Sequence, residues 1–146
     1  LVLPSHPTEK VTLRKELVRT LPEVLEAVGS SSVILDARPQ ARWLGTEAET
    51  RPGVSCGRIP TSVNIPFRSV LEDDDMTSFK PVEELKKVFA DIDQSQTIIN
   101  TCGSGVTAAT TAFALHLCGK PIESVPVYDG SWAEYGSIPT TPKDRI

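Results

Sequence analysis

Apolar and polar positions alternate along the chain with two periods, which together predict an α/β fold. Short apolar runs predict strands at residues 11–13, 32–36, 62–66, 97–101 and 125–128. Apolar positions at helical spacing predict helices at residues 21–28, 81–92 and 107–118, and short helices are expected at residues 40–44 and opening at residues 129–132. Because strands alternate with helices, we expect a mainly parallel central sheet flanked by helices on both faces.

Two of these helices carry further detail in their sequence. Thr20 and Glu23 have the spacing of a capping box at the start of the first helix, and Gly29 follows its end. The helix at residues 107–118 is apolar nearly all round. A helix with this pattern is typically buried, so we expect it to be packed on most of its sides.

Length and composition favour one globular domain. The chain has 146 residues, of which 39% are hydrophobic and 23% are charged. We expect a tail or interdomain linker at residues 1–10, a domain at residues 11–136 and a C-terminal tail at residues 137–146. A net charge of −4 without a basic stripe argues against a nucleic-acid partner. No apolar run approaches the ~20 residues of a membrane span, so we expect no membrane partner.

The three cysteines are odd in number and irregularly spaced. They are Cys56, Cys102 and Cys118. This arrangement predicts neither a disulfide framework nor a paired-cysteine metal site, and we expect no metal and no cofactor. Free thiols favour a reducing compartment, and we expect an intracellular location, cytoplasmic or mitochondrial.

Cys102 has the sequence context of a reactive thiol. It follows the apolar strand at residues 97–101 and precedes a Gly-Ser-Gly turn and then a helix. The backbone N–H groups of such a turn and the N-terminus of the helix favour an anion, which lowers the pKa of a thiol. A lone cysteine is more often a small buried hydrophobe. The strand–turn–helix context is what favours a nucleophile.

Other side chains converge on the same edge of the predicted sheet. Ligands of parallel sheets bind at the carboxyl ends of the strands, and Asp36 and Asp129 each fall at such an end. Asp36 and Trp132 are candidate walls of a pocket beside Cys102, although Trp132 is equally suited to the core.

A long polar loop covers residues 45–57, with Arg42 at its entrance and Arg51 within it. We call it the arginine loop. A loop of this length inside a compact domain is usually functional or mobile. Arginines are more often surface residues than ligands. Two guanidinium groups beside the end of a strand nevertheless suit a small carboxylate, because their fork geometry matches it.

Several short motifs occur in order along the chain. They are DAR at 36–38, RWLGTE at 42–47, GRIP at 57–60, SVNIPF at 62–67, CGSGVTA at 102–108 and YDGSW at 128–132. Together they resemble the 3-mercaptopyruvate sulfurtransferases of the rhodanese superfamily over roughly residues 11–135. Arg58 and Thr61 depart from the family's Gly-His-Ile-Pro-Gly signature.

This resemblance implies a rhodanese-like fold, with residues 11–136 as a catalytic-type domain and an inactive rhodanese domain preceding it in the parent chain. It implies that Cys102 takes sulfur from 3-mercaptopyruvate as a persulfide and releases pyruvate. Arg42 and Arg51 then bind the carboxylate of the donor, and thioredoxin, a small thiol or cyanide accepts the sulfur. The residues implied to hold the charge on the sulfur are Gly103, Ser104, Gly105, Val106 and Thr107.

Three alternatives stay open. Thiosulfate:cyanide sulfurtransferases carry basic residues directly after the cysteine, whereas Gly103 and Ser104 are neutral and favour a monoanionic donor. A cysteine phosphatase needs an arginine at the position of Ala108, so this residue disfavours that alternative. A non-catalytic rhodanese interaction module is disfavoured because Cys102 and its glycines are retained.

Overall fold

The centre of the fold is a sheet of five parallel strands in the order β1-β5-β4-β2-β3. A computed structural model describes residues 12–145. The strands are β1 (Val18–Arg19), β2 (Val33–Asp36), β3 (Val63–Asn64), β4 (Ile98–Thr101) and β5 (Val127–Tyr128). The central strands β2 and β4 pair along their whole length, so their carboxyl ends lie side by side. The predicted α/β fold with a parallel sheet is confirmed.

Helices cover both faces of this sheet. They are α1 (Leu21–Ala27), α2 (Gln40–Leu44), α3 (Val82–Val88), α4 (Val106–Leu117) and α5 (Ser131–Tyr135). Leu35 and Ile98 pack on one face with residues of α3 and α4, whereas Ile34 and Ile99 pack on the other face with residues of α1 and α5. This alternation follows from the period of two in a strand. None of the helices within residues 12–145 has the length and apolar character needed to cross a membrane.

The first helix begins and ends close to where its sequence predicts. The backbone N–H of Thr20 donates to Glu23 Oε2 at 2.7 Å, which is one half of the predicted capping box. α1 ends at Ala27, and Gly29 then turns the chain with a φ of +75°. The predicted start and the predicted end of this helix therefore both match the structure to within one residue.

The prediction of a strand at residues 11–13 is wrong for Thr12 and Leu13, the two of these residues that the structure describes. Thr12 and Leu13 have no regular structure, and the first strand is β1, which pairs with β5. β1 is only two residues long, too short to produce a periodic pattern. Val11 and the tail predicted at residues 1–10 lie outside the described residues.

The prediction that α4 is buried on most of its sides is wrong for its outer face. Val106 is 74% exposed, Phe113 46% and Leu117 38%. The buried face carries Ala108, Thr111, Ala112, Ala114 and Leu115. An all-apolar sequence does not distinguish the two faces, because both carry apolar side chains.

The segment that follows Gly136 packs back onto the domain. The backbone N–H groups of Arg58 and Asp144 donate to each other's carbonyl oxygen at 3.0 and 3.1 Å. The Thr141 hydroxyl donates to the carbonyl of Tyr135 at 2.6 Å. Residues 137–145 therefore cross the end of the arginine loop rather than extending away from it.

Candidate active site

Cys102 lies between the end of β4 and the start of α4, and its residue is only 1% exposed. Its Sγ accepts the backbone N–H of Gly105 at 3.1 Å and that of Ser104 at 3.4 Å. We call residues 102–105 the cysteine loop. The loop forms because the chain leaves a buried strand and turns at once into a helix, so successive N–H groups point inward.

These contacts favour the charged form of the sulfur. Burial by itself raises the pKa of Cys102, because it disfavours the thiolate. The Thr107 hydroxyl and the backbone N–H groups of the loop outweigh burial, and the pKa of Cys102 ends below its usual value. A buried cysteine is thereby prepared to act as a thiolate, which is the nucleophilic form.

Gly105 is required by the geometry of the loop. Its φ is +86°, which only glycine adopts readily. A Cβ atom at this position would lie 3.0 Å from the carbonyl oxygen of Asp129 and 3.1 Å from its Oδ1. Asp129, which directly follows β5, therefore lies too close to position 105 for a side chain to fit there.

The remaining residues predicted for the loop lie at different depths. Ser104 is exposed, and Val106 is the exposed first residue of α4. Thr107 is half-buried, and its hydroxyl contributes to the lowered pKa of Cys102. The backbone hydrogen bonds to Sγ thus come from Ser104 and Gly105, whereas the Val106 side chain is exposed.

Ser131 is a residue of the site that sequence reasoning missed. It is fully buried, its hydroxyl accepts the backbone N–H of Cys102 at 3.2 Å, and it donates to the Tyr128 carbonyl at 2.9 Å. Its oxygen lies 4.0 Å from Cys102 Sγ, and its φ of +50° is unusual for a residue with a side chain. The available signal was a polar residue just after a strand that neighbours β4.

Trp132 lies behind the cysteine. Its backbone N–H donates to the Cys102 carbonyl at 2.9 Å, and its indole N–H donates to the Ser55 carbonyl at 2.9 Å. The ring is buried. Trp132 therefore fastens the cysteine loop to the arginine loop.

Asp36 is also buried, and its carboxylate is occupied by Arg38. It accepts the backbone N–H of Arg38 at 2.9 Å and the guanidinium at 2.8 to 3.1 Å. Arg38 in turn lies 4.4 Å over the ring of Trp132 and donates to the Gly57 carbonyl at 2.8 Å. These contacts fix the base of the arginine loop.

The two arginines that are candidates for binding the substrate have different surroundings. An Nη1 atom of Arg51 lies 3.3 Å from where a Cβ of Gly103 would be, so this guanidinium rests against the cysteine loop. Arg42 pairs with Glu47 through Nε and Oε1 at 3.0 Å, at the loop's entrance. Arg51 is thus beside the sulfur site, and Arg42 is engaged in a half-exposed ion pair.

All three cysteines are free thiols. Within residues 12–145, no three side chains of His, Cys, Asp or Glu gather closely enough to hold a metal ion. The site brings a stabilised thiolate and a guanidinium group together. This arrangement suits attack on a neutral sulfur atom attached to an anionic group.

Comparison with known proteins agrees with this geometry. The model of the rhodanese-like domain matches residues 20–137. A thiosulfate sulfurtransferase from Rattus norvegicus is 44% identical over 139 residues, which cover 90% of this chain and 46% of the relative. A 3-mercaptopyruvate sulfurtransferase from the same species is 40% identical over 136 residues, which cover 90% of this chain and 44% of the relative.

A solved structure extends the comparison to the whole fold. The yeast mitochondrial complex I sub-stoichiometric sulfur transferase subunit is 37% identical and has a TM-score of 0.83, covering 100% of this chain and 51% of that one. This chain therefore spans about half the length of the relatives it matches. The matched domain, the shared fold and identities of about 40% establish that this chain belongs to the rhodanese family.

Proposed function

We propose that this chain is a sulfurtransferase domain that moves sulfur from 3-mercaptopyruvate through a persulfide on Cys102. The observation that carries the proposal is the cysteine loop. There the sulfur accepts two backbone N–H groups, at 3.1 and 3.4 Å, and the pKa of Cys102 is lowered despite its burial. Sulfurtransferase activity is also in the names of both rat relatives.

The first half-reaction uses the thiolate as a nucleophile. Cys102 attacks the sulfur of 3-mercaptopyruvate, an S–S bond forms, and the C–S bond of the donor breaks. The electron pair of that bond passes to carbon and gives the enolate of pyruvate, which receives the proton of the donor's thiol group. The products are pyruvate and a persulfide anion, whose charge the N–H groups of Ser104 and Gly105 stabilise.

The choice of donor follows from the charges around the sulfur. Gly103 and Ser104 add no positive charge to the loop, and Arg51 lies against it. One nearby guanidinium suits a donor with a single carboxylate at one end and sulfur at the other. Arg42 would join it by exchanging its pair with Glu47 for the substrate carboxylate.

The second half-reaction returns the thiolate. A thiol acceptor, such as thioredoxin or a small thiol, attacks the outer sulfur of the persulfide, and cyanide can do the same. The S–S bond breaks, and its electron pair returns to Cys102, so the kinetics are of the ping-pong type. We propose an intracellular location, cytoplasmic or mitochondrial, where such thiols are kept reduced.

A second candidate is thiosulfate:cyanide sulfurtransferase. The relative that favours it is the rat thiosulfate sulfurtransferase, whose 44% identity is slightly above the 40% of the mercaptopyruvate enzyme. Thiosulfate is a dianion, so it would need more positive charge than one arginine beside a neutral loop provides.

Steady-state rates with each donor distinguish the two candidates. Pyruvate release from 3-mercaptopyruvate and sulfite release from thiosulfate are measured with the same thiol acceptor, and Cys102→Ser serves as the control. The proposal expects the larger kcat/KM with 3-mercaptopyruvate and no turnover in Cys102→Ser. Turnover of thiosulfate alone would retain the class of enzyme and overturn the donor.

A further inference from the structure

Glu49 differs from its neighbours in the arginine loop. Glu47, Ala48 and Thr50 are exposed, whereas the Glu49 side chain is only 4% exposed. A carboxylate is rarely buried to this degree unless it is paired with positive charge. We therefore expect positively charged groups beside the Glu49 carboxylate.

Those partners are two guanidinium groups. Glu49 Oε2 lies 4.0 Å from Nη1 of Arg38, and Glu49 Oε1 lies 3.8 Å from Nη1 of Arg51. The Nη1 atom of Arg38 is buried and has no hydrogen-bond partner among residues 12–145, and the Glu49 carboxylate adds a negative charge close to it. Oε1 also accepts the backbone N–H of Thr50 at 3.1 Å.

The two arginines differ in their exposure and in their number of contacts. Arg38 is 4% exposed and is fixed by Asp36, by the Gly57 carbonyl and by Trp132. Arg51 is 42% exposed, and Glu49 is the ion-pair partner within reach of it. A buried arginine, a buried carboxylate and a half-exposed arginine thus form a row that ends at the cysteine loop.

We propose that Glu49 is the positioning residue that holds Arg51 against the cysteine loop and thereby sets the preference for a monoanionic donor. The proposal rests on the proposed function. Asp36 already compensates Arg38, so the charge of Glu49 acts mainly on Arg51. Glu49 directs this guanidinium toward the carboxylate of a donor and reduces the positive potential that a dianion would need.

The test compares donor selectivity in variants of the full chain. In Glu49→Gln, the ratio of kcat/KM for thiosulfate to that for 3-mercaptopyruvate rises about fivefold, the size expected for one partly exposed ion pair. The change lies in KM for 3-mercaptopyruvate, with kcat nearly constant, because Glu49 does not touch the sulfur. Glu83→Gln is the matched control, since it removes a carboxylate from an exposed pair with Lys86 on α3.

A second background tests whether Glu49 acts through Arg51. In Arg51→Ala, the further change Glu49→Gln leaves the donor ratio unaltered. An unchanged ratio in the single variant, or an equal shift with and without Arg51, overturns the proposal. Should Glu49→Gln fail to fold, as thermal unfolding would reveal, Glu49→Asp replaces it. Aspartate is one methylene shorter, so its carboxylate lies farther from Arg51, and we expect KM for 3-mercaptopyruvate to rise about twofold. An unchanged KM overturns the proposal.

The outcome is separable from that of the proposed function. Turnover of 3-mercaptopyruvate by the unaltered chain decides the proposed function. If the unaltered chain used only thiosulfate, the coupling between Glu49 and Arg51 would be measured in KM for thiosulfate. Additive effects of the two substitutions there would overturn the role of Glu49, and non-additive effects would support it.

Discussion

The cysteine loop follows β4, and the arginine loop follows α2, the helix after the neighbouring strand β2, but the two loops are held by different forces. The cysteine loop is short and is organised by backbone N–H groups around the sulfur of Cys102. The arginine loop, residues 45–57, is organised by charged side chains, with Glu49 between Arg38 and Arg51. The first contains few rotatable groups at its centre, whereas the second depends on long side chains.

This difference divides the work of the site. A loop built from backbone holds a fixed geometry, which suits stabilisation of charge on one atom during the reaction. A loop built from ion pairs can exchange one partner for another, which suits recognition of a substrate anion. We therefore expect changes in the cysteine loop to reduce kcat and changes in the arginine loop to raise KM.

The largest effect is expected from Gly105→Ala. The new Cβ would meet the Asp129 carbonyl and displace the N–H that Cys102 Sγ accepts, so kcat falls about 10²-fold, as for loss of one oxyanion donor. Gly29→Ala is the matched control, because Gly29 also has a positive φ of +75° but has nothing within 4 Å of its Cβ position. Equal losses of kcat in both variants would contradict the role of the loop.

Arg51→Ala comes next and tests the arginine loop. KM for 3-mercaptopyruvate rises about tenfold through loss of one charge-assisted hydrogen bond. Arg42→Ala has a smaller effect, because Arg42 is already paired with Glu47 at 3.0 Å. Steady-state kinetics of both variants with both donors measure these KM values. Equal increases of KM for 3-mercaptopyruvate and thiosulfate would remove the argument for carboxylate recognition.

The pH dependence of alkylation compares Cys102 with Cys118. Loop hydrogen bonds hold the pKa of Cys102 below its usual value, whereas burial raises the pKa of Cys118. The thiolate of Cys102 therefore forms at lower pH, and the midpoint of its reaction with iodoacetamide lies at lower pH. Peptide mass spectrometry across pH follows each site. Coincident midpoints would mean that the loop does not stabilise the thiolate.

The smallest effect is expected from Ser104→Lys. Ser104 is exposed, so an added ammonium group is partly screened and shifts the kcat/KM ratio toward thiosulfate by about threefold. Ser104→Gln provides the neutral control of similar length. A ratio that stays constant would mean that charge in the cysteine loop does not select the donor.

The sequence predicted the cysteine loop because every part of it is local. A strand, a Gly-Ser-Gly turn and a helix follow one another between residues 97 and 118, and their order alone points the N–H groups at Cys102. The fold was predictable for the same reason, since alternating strands and helices favour a parallel sheet.

The missed features depend on contacts between distant parts of the chain. Ser131 reaches the N–H of Cys102 because β5 pairs with β4, and the buried carboxylate of Glu49 lies between the guanidinium groups of Arg38 and Arg51. The exposed face of α4 was also missed. Periodicity reports where apolar residues recur, and it does not report which of two apolar faces packs against the sheet.

The central claim is that Cys102 carries sulfur taken from 3-mercaptopyruvate. Its most direct test is the intact mass of the chain after brief exposure to 3-mercaptopyruvate, with thiosulfate in parallel and Cys102→Ser as control. The account predicts a gain of one sulfur atom at Cys102, greater with 3-mercaptopyruvate than with thiosulfate. No gain with either donor, or a gain that persists in Cys102→Ser, would contradict it.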